Sequence, residues 1–374
     1  MPGSYTPPMA PRDRIRLVVL FGGQSAEHEV SCVSAWHVLR AVDPARYELE
    51  AVGITREGQW VRADDAIAAL QSGAGALPST SVADQRLEAV GTTIEPLPAL
   101  RPSAGEDLPV VVLPLIHGTR GEDGTVQGML ELANVPFVGA GVLGSALCMD
   151  KLKAKDVLAA HDLPQVGWIG LRDTELDTVM HRVEEAGLTF PLFVKPANLG
   201  SSVGVSRVEG PEALAEGCAT AADYDEWIVV EQGVVGREIE VAVLGNASPR
   251  ASVPGEVRPT HDFYDYDDKY LDGAAELIIP ADLPAKVTAE IRRLAVEAFT
   301  VLRCDGMARV DFFYLPDDDR VLINEINTIP GFTPISMYPK MWEASGLTYS
   351  ELIDELVRLA LERHEHRNRL STKR

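Results

Sequence analysis

The sequence predicts an α/β protein, α+β in parts, built from more than one domain, on three observations. Its 374 residues exceed what one ordinary core holds. The opening alternates apolar β-rich runs with a helical stretch, the βαβ pattern of a parallel sheet. From Phe190 onward the apolar period switches to two, as in half-buried strands.

The first strand is IRLVVLF from Ile15, followed by the turn glycines Gly22 and Gly23, a helix from Ser25 and a second strand, YELEAVGIT. From 62 to 108 the chain turns rich in Ala, Ser, Pro and Gly and reads as an insertion. LPVVVLPLIH resumes the sheet, and a Gly-rich loop, an amphipathic helix and a short extended piece ending at Gly139 complete a first domain over 15–140. A helix from Met149 to His161 leads to the strands FPLFVKP, VGVSRV and EWIVVEQ, a second unit over 141–231. A third, 232–363, begins at REIEVAVLG and ends with helices from Ala285 to Leu302 and from Tyr349 to Arg363. Residues 1–14 and 364–374 read as flexible tails.

The balance of 34 basic against 56 acidic residues repels phosphate backbones, so nucleic acid is an unexpected partner. A nucleotide would need local cations and a metal ion to offset the charge of −22. Four scattered cysteines without metal-ligand spacing predict reduced core thiols. No apolar stretch approaches the ~20 residues of a membrane span, and the leading residues lack a secretory apolar core. No membrane partner is expected, and the cytoplasm is the expected compartment.

The passage ARVDFFYLPDDDRVLINEIN reads as a hairpin. A turn centred on Asp318 places Asp311 opposite Glu325 and Arg309 opposite Asn327, all on one face. Two opposed carboxylates destabilise a ribbon by roughly 0.2–1 kcal/mol, which a cation between them would relieve. The oxygen donors Asp311, Glu325 and Asn327 suit Mg²⁺ held mainly by substrate phosphates. The other reading is a surface cluster neutralised by Arg309 alone.

Lys195 ends an apolar strand before a loop containing Gly200, Ser201, Ser202 and Gly204, which is either a phosphate cradle or an ordinary hairpin turn. Lys151, in MDKLKAK, is uninformative alone. Ser25 reads as an N-cap with Glu27 in the first helical turn, where Glu27 either serves the dipole or binds a substrate ammonium. His117 and Glu122 bracket a glycine-rich loop at the same sheet edge, in a structural or a functional role. Residues 256–275 alternate acids and aromatics, and Tyr264, Tyr266, Lys269 and Tyr270 suit a lid. Gly331 lies in a tight turn just after the metal candidates, and Ser336 beyond it is placed to meet a substrate carboxylate.

These segments, GGQSAEHEVS, HGTRGEDGTVQGMLE, MDKLKAK, KPANLGSSVGVS, FYDYDDKY, RVDFF and NEINTIPGFTPIS, resemble in order the D-alanine–D-alanine ligases of the ATP-grasp superfamily, from about Arg16 to Leu361. The resemblance implies a three-domain ATP-grasp fold with a Rossmann-like N-terminal parallel sheet and a homodimer. It implies ATP and D-alanine as substrates, with two Mg²⁺ (or Mn²⁺) ions per site. By it, Glu27 orients the first D-alanine, Ser201 organises the loop and Ser336 meets the second carboxylate. Lys151 and Lys195 contact phosphates, with Ser202 in the same loop. Glu231 and Glu238 hold adenine and ribose, with backbone at Gln232 and Val234 on the adenine edge. Lys269 reaches the transferred phosphate, Arg309 faces the tetrahedral intermediate, and Met337 stands behind the second carboxylate.

The D-alanine–D-lactate ligases share nearly every motif, but their lid carries a His. Here the lid is Tyr- and Lys-bearing, and His261 precedes the motif. A catalytically silent nucleotide-binding regulator would show a broken metal set, whereas Asp311, Glu325, Asn327, Lys195 and Arg309 are all present.

Overall fold

The computed structural model describes residues 14–63, 88–100, 108–258 and 276–370. They form three sheets. In the first, β1 (Ile15–Gly22), helix α1 (His28–Ala41) and β2 (Tyr47–Ile54) make the βαβ unit, β1 and β2 pairing in parallel. Two short antiparallel strands, β3 (Trp60–Arg62) and β4 (Thr92–Thr93), extend the β2 edge. With the one-turn helix α2 (Pro96–Ala99) they give described structure to part of the stretch read as an insertion. Strand β5 (Val110–Pro114) joins the other side of β1, again in parallel.

Every residue of β1 is buried because both faces of this sheet are covered. Val18 and Leu20 pack with Val126 and Leu130 of α3 (Thr125–Leu132), while Leu17, Val19 and Phe21 face the opposite core. Gly22, at φ +86°, ends the strand where an added Cβ would lie 2.3 Å from the Ile54 carbonyl oxygen, so only glycine makes this turn.

The helix expected from Met149 to His161 is found as α5 (Lys151–Ala160), and a helix not expected from the sequence, α4 (Val142–Met149), precedes it. They break at Asp150, whose carboxylate accepts from Lys153 N–H at 3.0 Å and caps α5. The second sheet is antiparallel and comprises β6 (Trp168–Arg172), β7 (Leu192–Pro196), β8 (Ser206–Val208) and β9 (Trp227–Gln232), in the order β6-β9-β7-β8. Between these strands lie α6 (Val179–Glu185) and α7 (Pro211–Ala222). Leu192, Val194, Ile228 and Val230 form its core with Leu214 and Cys218 of α7. By the strand period, Phe193, Lys195 and Glu231 take the opposite face.

The third sheet carries β10 (Arg237–Gly245), β11 (Arg250–Ala251), β12 (Gly255–Arg258), β13 (Glu276–Ile278), β14 (Gly306–Leu315) and β15 (Arg320–Asn327). Its order is β13-β12-β10-β14-β15, with β11 on β10. Helix α8 (Ala285–Val301) covers one face, packing Ile291, Leu294 and Ala298 against Ile239, Val241, Val310 and Phe312.

Helices α9 (Met337–Ala344) and α10 (Tyr349–Arg369) close the chain. Helix α10 continues to Arg369, which corrects the reading of 364–374 as a tail. Residues 364–369 lack apolar side chains, but Arg363 just before them and Arg367 among them reach across to the first unit. Arg363 is buried, donates to the carbonyls of Phe137 (2.9 Å) and Gly139, and lies 4.3 Å over the Phe137 ring. Arg367 Nη2 donates to Glu131 at 2.9 Å. The apolar face of α10, Leu352, Leu356 and Val357, joins Val111 and Leu113 of the first sheet and Leu244 of the third in one continuous core.

Arg363→Ala strips two carbonyls of their donor, at ~1–3 kcal/mol for each group left buried and unsatisfied. The half-exposed Arg367–Glu131 pair is worth only ~1 kcal/mol or less. Thermal melting should therefore fall by several degrees for Arg363→Ala and barely move for Arg367→Ala; equal melting of the two variants would refute this ranking.

Candidate active site

The second and third sheets face one another across a cleft of about 600 Å³. Its walls carry Lys151, Lys195, Ser201, Ser202, Glu231, Gln232, Val234, Glu238, Glu240, Arg309, Asp311, Asn324 and Glu325.

On the wall of the second sheet, Phe193 pairs with Glu231 and Lys195 with Val229, which makes Lys195 and Glu231 diagonal neighbours on one face. Lys195 Nζ donates to Glu231 Oε2 at 2.6 Å. Lys155 of α5 stands 2.9 Å from Glu231 Oε1. Burial alone would raise the Glu231 pKa, but Lys155 and Lys195 pull it down to about 2. Burial likewise opposes the charge of Lys195, yet Glu231 and Glu325 raise its pKa above the ordinary value.

Lys151 is the first residue of α5, where a cation adds to the positive end of the helix dipole instead of opposing it. Its Nζ donates to the Leu199 carbonyl at 2.6 Å and lies 4.0 Å from Glu325. Burial lowers its pKa. The loop between β7 and β8 is held at its base by Asn198, which donates to Asp225 from backbone N (2.7 Å) and Nδ2 (2.9 Å). Ser201 and Ser202 both take positive φ, +51° and +58°, a left-handed turn uncommon for residues other than glycine and held by Val203 N–H donating to the Gly200 carbonyl at 3.2 Å.

On the facing wall, Asp311 pairs with Glu240 on β10 and with Glu325 on β15, so three carboxylates form a row across three strands. Arg309 forks onto both Asp311 oxygens at 2.7 Å and stands 3.1 Å from Glu240. The pairs expected from the sequence, Asp311 with Glu325 and Arg309 with Asn327, are found, although the turn is displaced. Leu315 pairs with Arg320, which centres the turn between Asp317 and Asp318 rather than on Asp318. A bulge between the Asp311 and Phe312 pairings leaves Asn324 unpaired and restores the register. It also lets Ile323 and Ile326 both enter the core while Asn324 and Glu325 line the cleft.

Among the described residues no three Asp, Glu, His or Cys side chains form a metal-holding group. The donors present are two opposed carboxylates, Asp311 and Glu325, on a wall facing two lysines. That set is too sparse for an all-protein cage and fits a hard cation bound largely through phosphate oxygens. Asn327 already accepts from Ile329 N–H through Oδ1 at 3.0 Å, and an amide oxygen has a second lone pair.

A second cluster joins the cleft at Ser201, whose Oγ donates to Glu27 Oε1 at 2.5 Å. Glu27 is itself the cap position of α1, and Ser25, expected to be the N-cap, instead accepts from Glu27 N–H (3.2 Å) and donates to the His117 carbonyl (2.9 Å). His117 is buried, its Nδ1 2.9 Å from the Ile329 carbonyl and 3.7 Å from Glu122. Burial disfavours a charged His117, but Glu122 and Glu27 raise its pKa; burial raises that of Glu122 to about 7.

Ser336 folds back on its own turn, accepting from Thr333 N–H at 3.1 Å with the two hydroxyls 2.8 Å apart, and Gly331 packs against it. Met337 is buried in the core beside Gly255 and does not line the cleft. Tyr264, Tyr266, Lys269 and Tyr270 lie outside the described residues. Lys155, Glu240 and Asn324 were not singled out from the sequence. The alternation in REIEVAV and the one-turn spacing from Lys151 to Lys155 carry the signal for two of them. Asn324 depends on the bulge.

Two family models match the chain, D-ala D-ala ligase N-terminus over residues 16–140 and D-ala D-ala ligase C-terminus over 157–358. The D-alanine–D-alanine ligase of Natranaerobius thermophilus is 43% identical over 96% of this chain and 98% of its own length. D-alanine–D-alanine ligase A of Salmonella typhimurium is 46% identical over 96% and 99%. Among solved structures, the ligase of Coxiella burnetii superposes with a TM-score of 0.76 at 38% identity, covering 95% of this chain and 96% of its own. The VanG D-Ala:D-Ser ligase of Enterococcus faecalis gives 0.76 at 31%, covering 93% and 100%.

The raised pKa values of His117 and Glu122 have one sign. Stability from such shifts is complete below the unfolded pKa and is lost as pH rises through the folded value, here about 7 for Glu122. In thermal melts, the advantage of wild type over Glu122→Gln should shrink between about pH 5 and about pH 8; an advantage that grows with pH would contradict the raised pKa of Glu122.

Proposed function

The chain belongs to the D-alanine–D-alanine ligase family, and we infer from this and from its cleft that it joins two D-alanines at the expense of ATP. The product would serve peptidoglycan precursor synthesis. The observation that carries the reading is the convergence, in one cleft, of Lys151 and Lys195 on one wall with Asp311, Glu325 and Arg309 on the other. No helix among the described residues is long and apolar enough to cross a membrane, in keeping with the cytoplasm as the proposed site of action.

A carboxylate is a poor electrophile, so the first D-alanine is activated by transfer of the γ-phosphoryl group to its carboxylate. Lys151 and Lys195 hold the phosphates by charge, and the backbone of the 200–204 loop, with Ser202, closes over them. The Glu231 carboxylate is committed to two lysines, so this residue meets adenine through its backbone, together with Gln232 and Val234. Glu238 takes the ribose hydroxyls. Glu27, oriented by Ser201, receives the ammonium of the first D-alanine, with His117 and Glu122 behind it.

The second D-alanine attacks as free amine, its carboxylate held at Ser336 beside Gly331. Arg309 stabilises the oxyanion that forms, and phosphate leaves. To Lys269, Tyr270, Tyr264 and Tyr266, which lie outside the described residues, the family resemblance assigns the exclusion of water from the acyl phosphate. Two Mg²⁺ ions, or Mn²⁺, held by Asp311, Glu325 and Asn327 would supply charge neutralisation between the phosphates and this acidic wall. The working unit is proposed to be a homodimer.

The 31% identity to a D-Ala:D-Ser ligase over the same fold makes the second substrate the point to test. ATP-dependent phosphate release should require D-alanine rather than L-alanine, and mass analysis should find the dipeptide even when D-serine or D-lactate competes. A mixed product would move the specificity, and no release with any of them would overturn the ligase reading. Glu325→Gln should fold and bind nucleotide yet lose at least about a hundredfold in turnover, as expected when a charge acting on the transition state is removed; wild-type turnover would sink the metal assignment.

A further inference from the structure

Lys155 stands apart from the groups assigned above. It lies one helical turn after Lys151, is only 3% exposed, and does not line the cleft. Its ammonium lies 2.9 Å from one oxygen of Glu231, whose other oxygen accepts from Lys195 at 2.6 Å. One buried carboxylate thus bridges a lysine that faces the cleft and a lysine behind its wall.

The formal charge of this trio is one positive unit, and Lys195 is the member that presents it. Without the Lys155 charge, Glu231 would be left against Lys195 alone, and the wall would offer a neutral pair. Packing does not account for the residue. A methionine of similar reach fills the space without the desolvation penalty of a buried ammonium. Glu231, held at about 2, stays ionised throughout the neutral range, so the division of its charge is permanent rather than a switch.

We propose that Lys155 is a positioning residue that sets the positive charge Lys195 offers to the phosphates of a nucleotide, by sharing Glu231 with it. This rests on the ligase reading, since it takes the cleft to bind ATP. The effect belongs to phosphate recognition. Adenosine, which lacks phosphates, should be indifferent to it, whereas damage to β9 would weaken adenosine and ADP alike.

The test is titration calorimetry of the full-length protein with ADP and magnesium, and separately with adenosine, for wild type, Lys155→Met and the double variant Lys155→Met/Glu231→Gln. The single variant should bind ADP about tenfold more weakly and adenosine within about twofold of wild type. The double variant should recover most of the ADP affinity, because Lys195 again presents an unshared charge. Unchanged ADP binding in the single variant, equal losses for both ligands, or a double variant no better than the single one would each overturn the proposal. Should Lys155→Met fail to fold, the double variant decides: near-wild-type ADP affinity supports charge sharing, and a loss confined to ADP refutes it. If wild type itself binds neither ligand, the ligase reading falls, and this inference with it.

Discussion

Opposite sharing of charge on the two walls of the cleft is the constraint on which the site depends. On the second sheet one carboxylate, Glu231, lies between two ammoniums; on the third one guanidinium, Arg309, lies between two carboxylates, Asp311 and Glu240. Neither arrangement is neutral. The first leaves a surplus cation facing the space and the second a surplus anion, with Lys151 and Glu325 adding to each side. A molecule that carries many negative charges together with metal ions satisfies both walls at once, and no single simple ion does. In a chain of net charge −22, binding of such an anion has to be local, and these buried clusters make it so.

The clusters exist because strand alternation separates core from cleft. On β7, Leu192 and Val194 point into an apolar core and Lys195 points away; on β14, Val310 and Phe312 do the same while Arg309 and Asp311 face the cleft. Each polar residue is therefore held by the apolar residues on either side of it. Sliding either strand by one position would bury the charges and expose the core, so register and site stand or fall together. The bulge at Asn324 is the exception that completes the design. It spends one residue to bring Glu325 to the cleft between two isoleucines that both remain inside.

Much of this was legible in the sequence, for stated physical reasons. The parallel βαβ opening followed from a strand apolar at every position from Leu17 to Phe21 and two glycines, and the hairpin pairs of Asp311 and Arg309 followed from a Pro-Asp turn. The turn itself was misplaced by half a residue, and a bulge that no local pattern announces restored the pairs. Helix α4 escaped because GVLGSALCM is apolar on all sides, with no period to read. The end of α10 escaped for the opposite reason: HEHRNR has no apolar face, and its helix is held by Arg363 and Arg367 reaching groups more than two hundred residues away. Lys155 was invisible as a partner of Glu231 because that contact spans seventy-six positions and three strands' worth of topology. Long-range polar pairing leaves no periodic trace.

The continuous core between the first and third sheets has a consequence for how the molecule breathes. Leu352, Leu356, Val111 and Leu244 belong to one apolar body, whereas the second sheet has a core of its own and meets α5 through a small seam of Leu152, Ala197 and Val229. Units with separate cores open separately, and the amide hydrogens of each exchange with solvent at a rate set by its own core. A hinge that lifts the roof of the cleft from its floor, while floor and first sheet stay together, would cost the Ser201–Glu27 hydrogen bond, the Leu152–Ala197–Val229 seam and a few polar contacts. Nucleotide would enter and leave by that hinge, and the amino-acid side of the site would remain standing between turnovers.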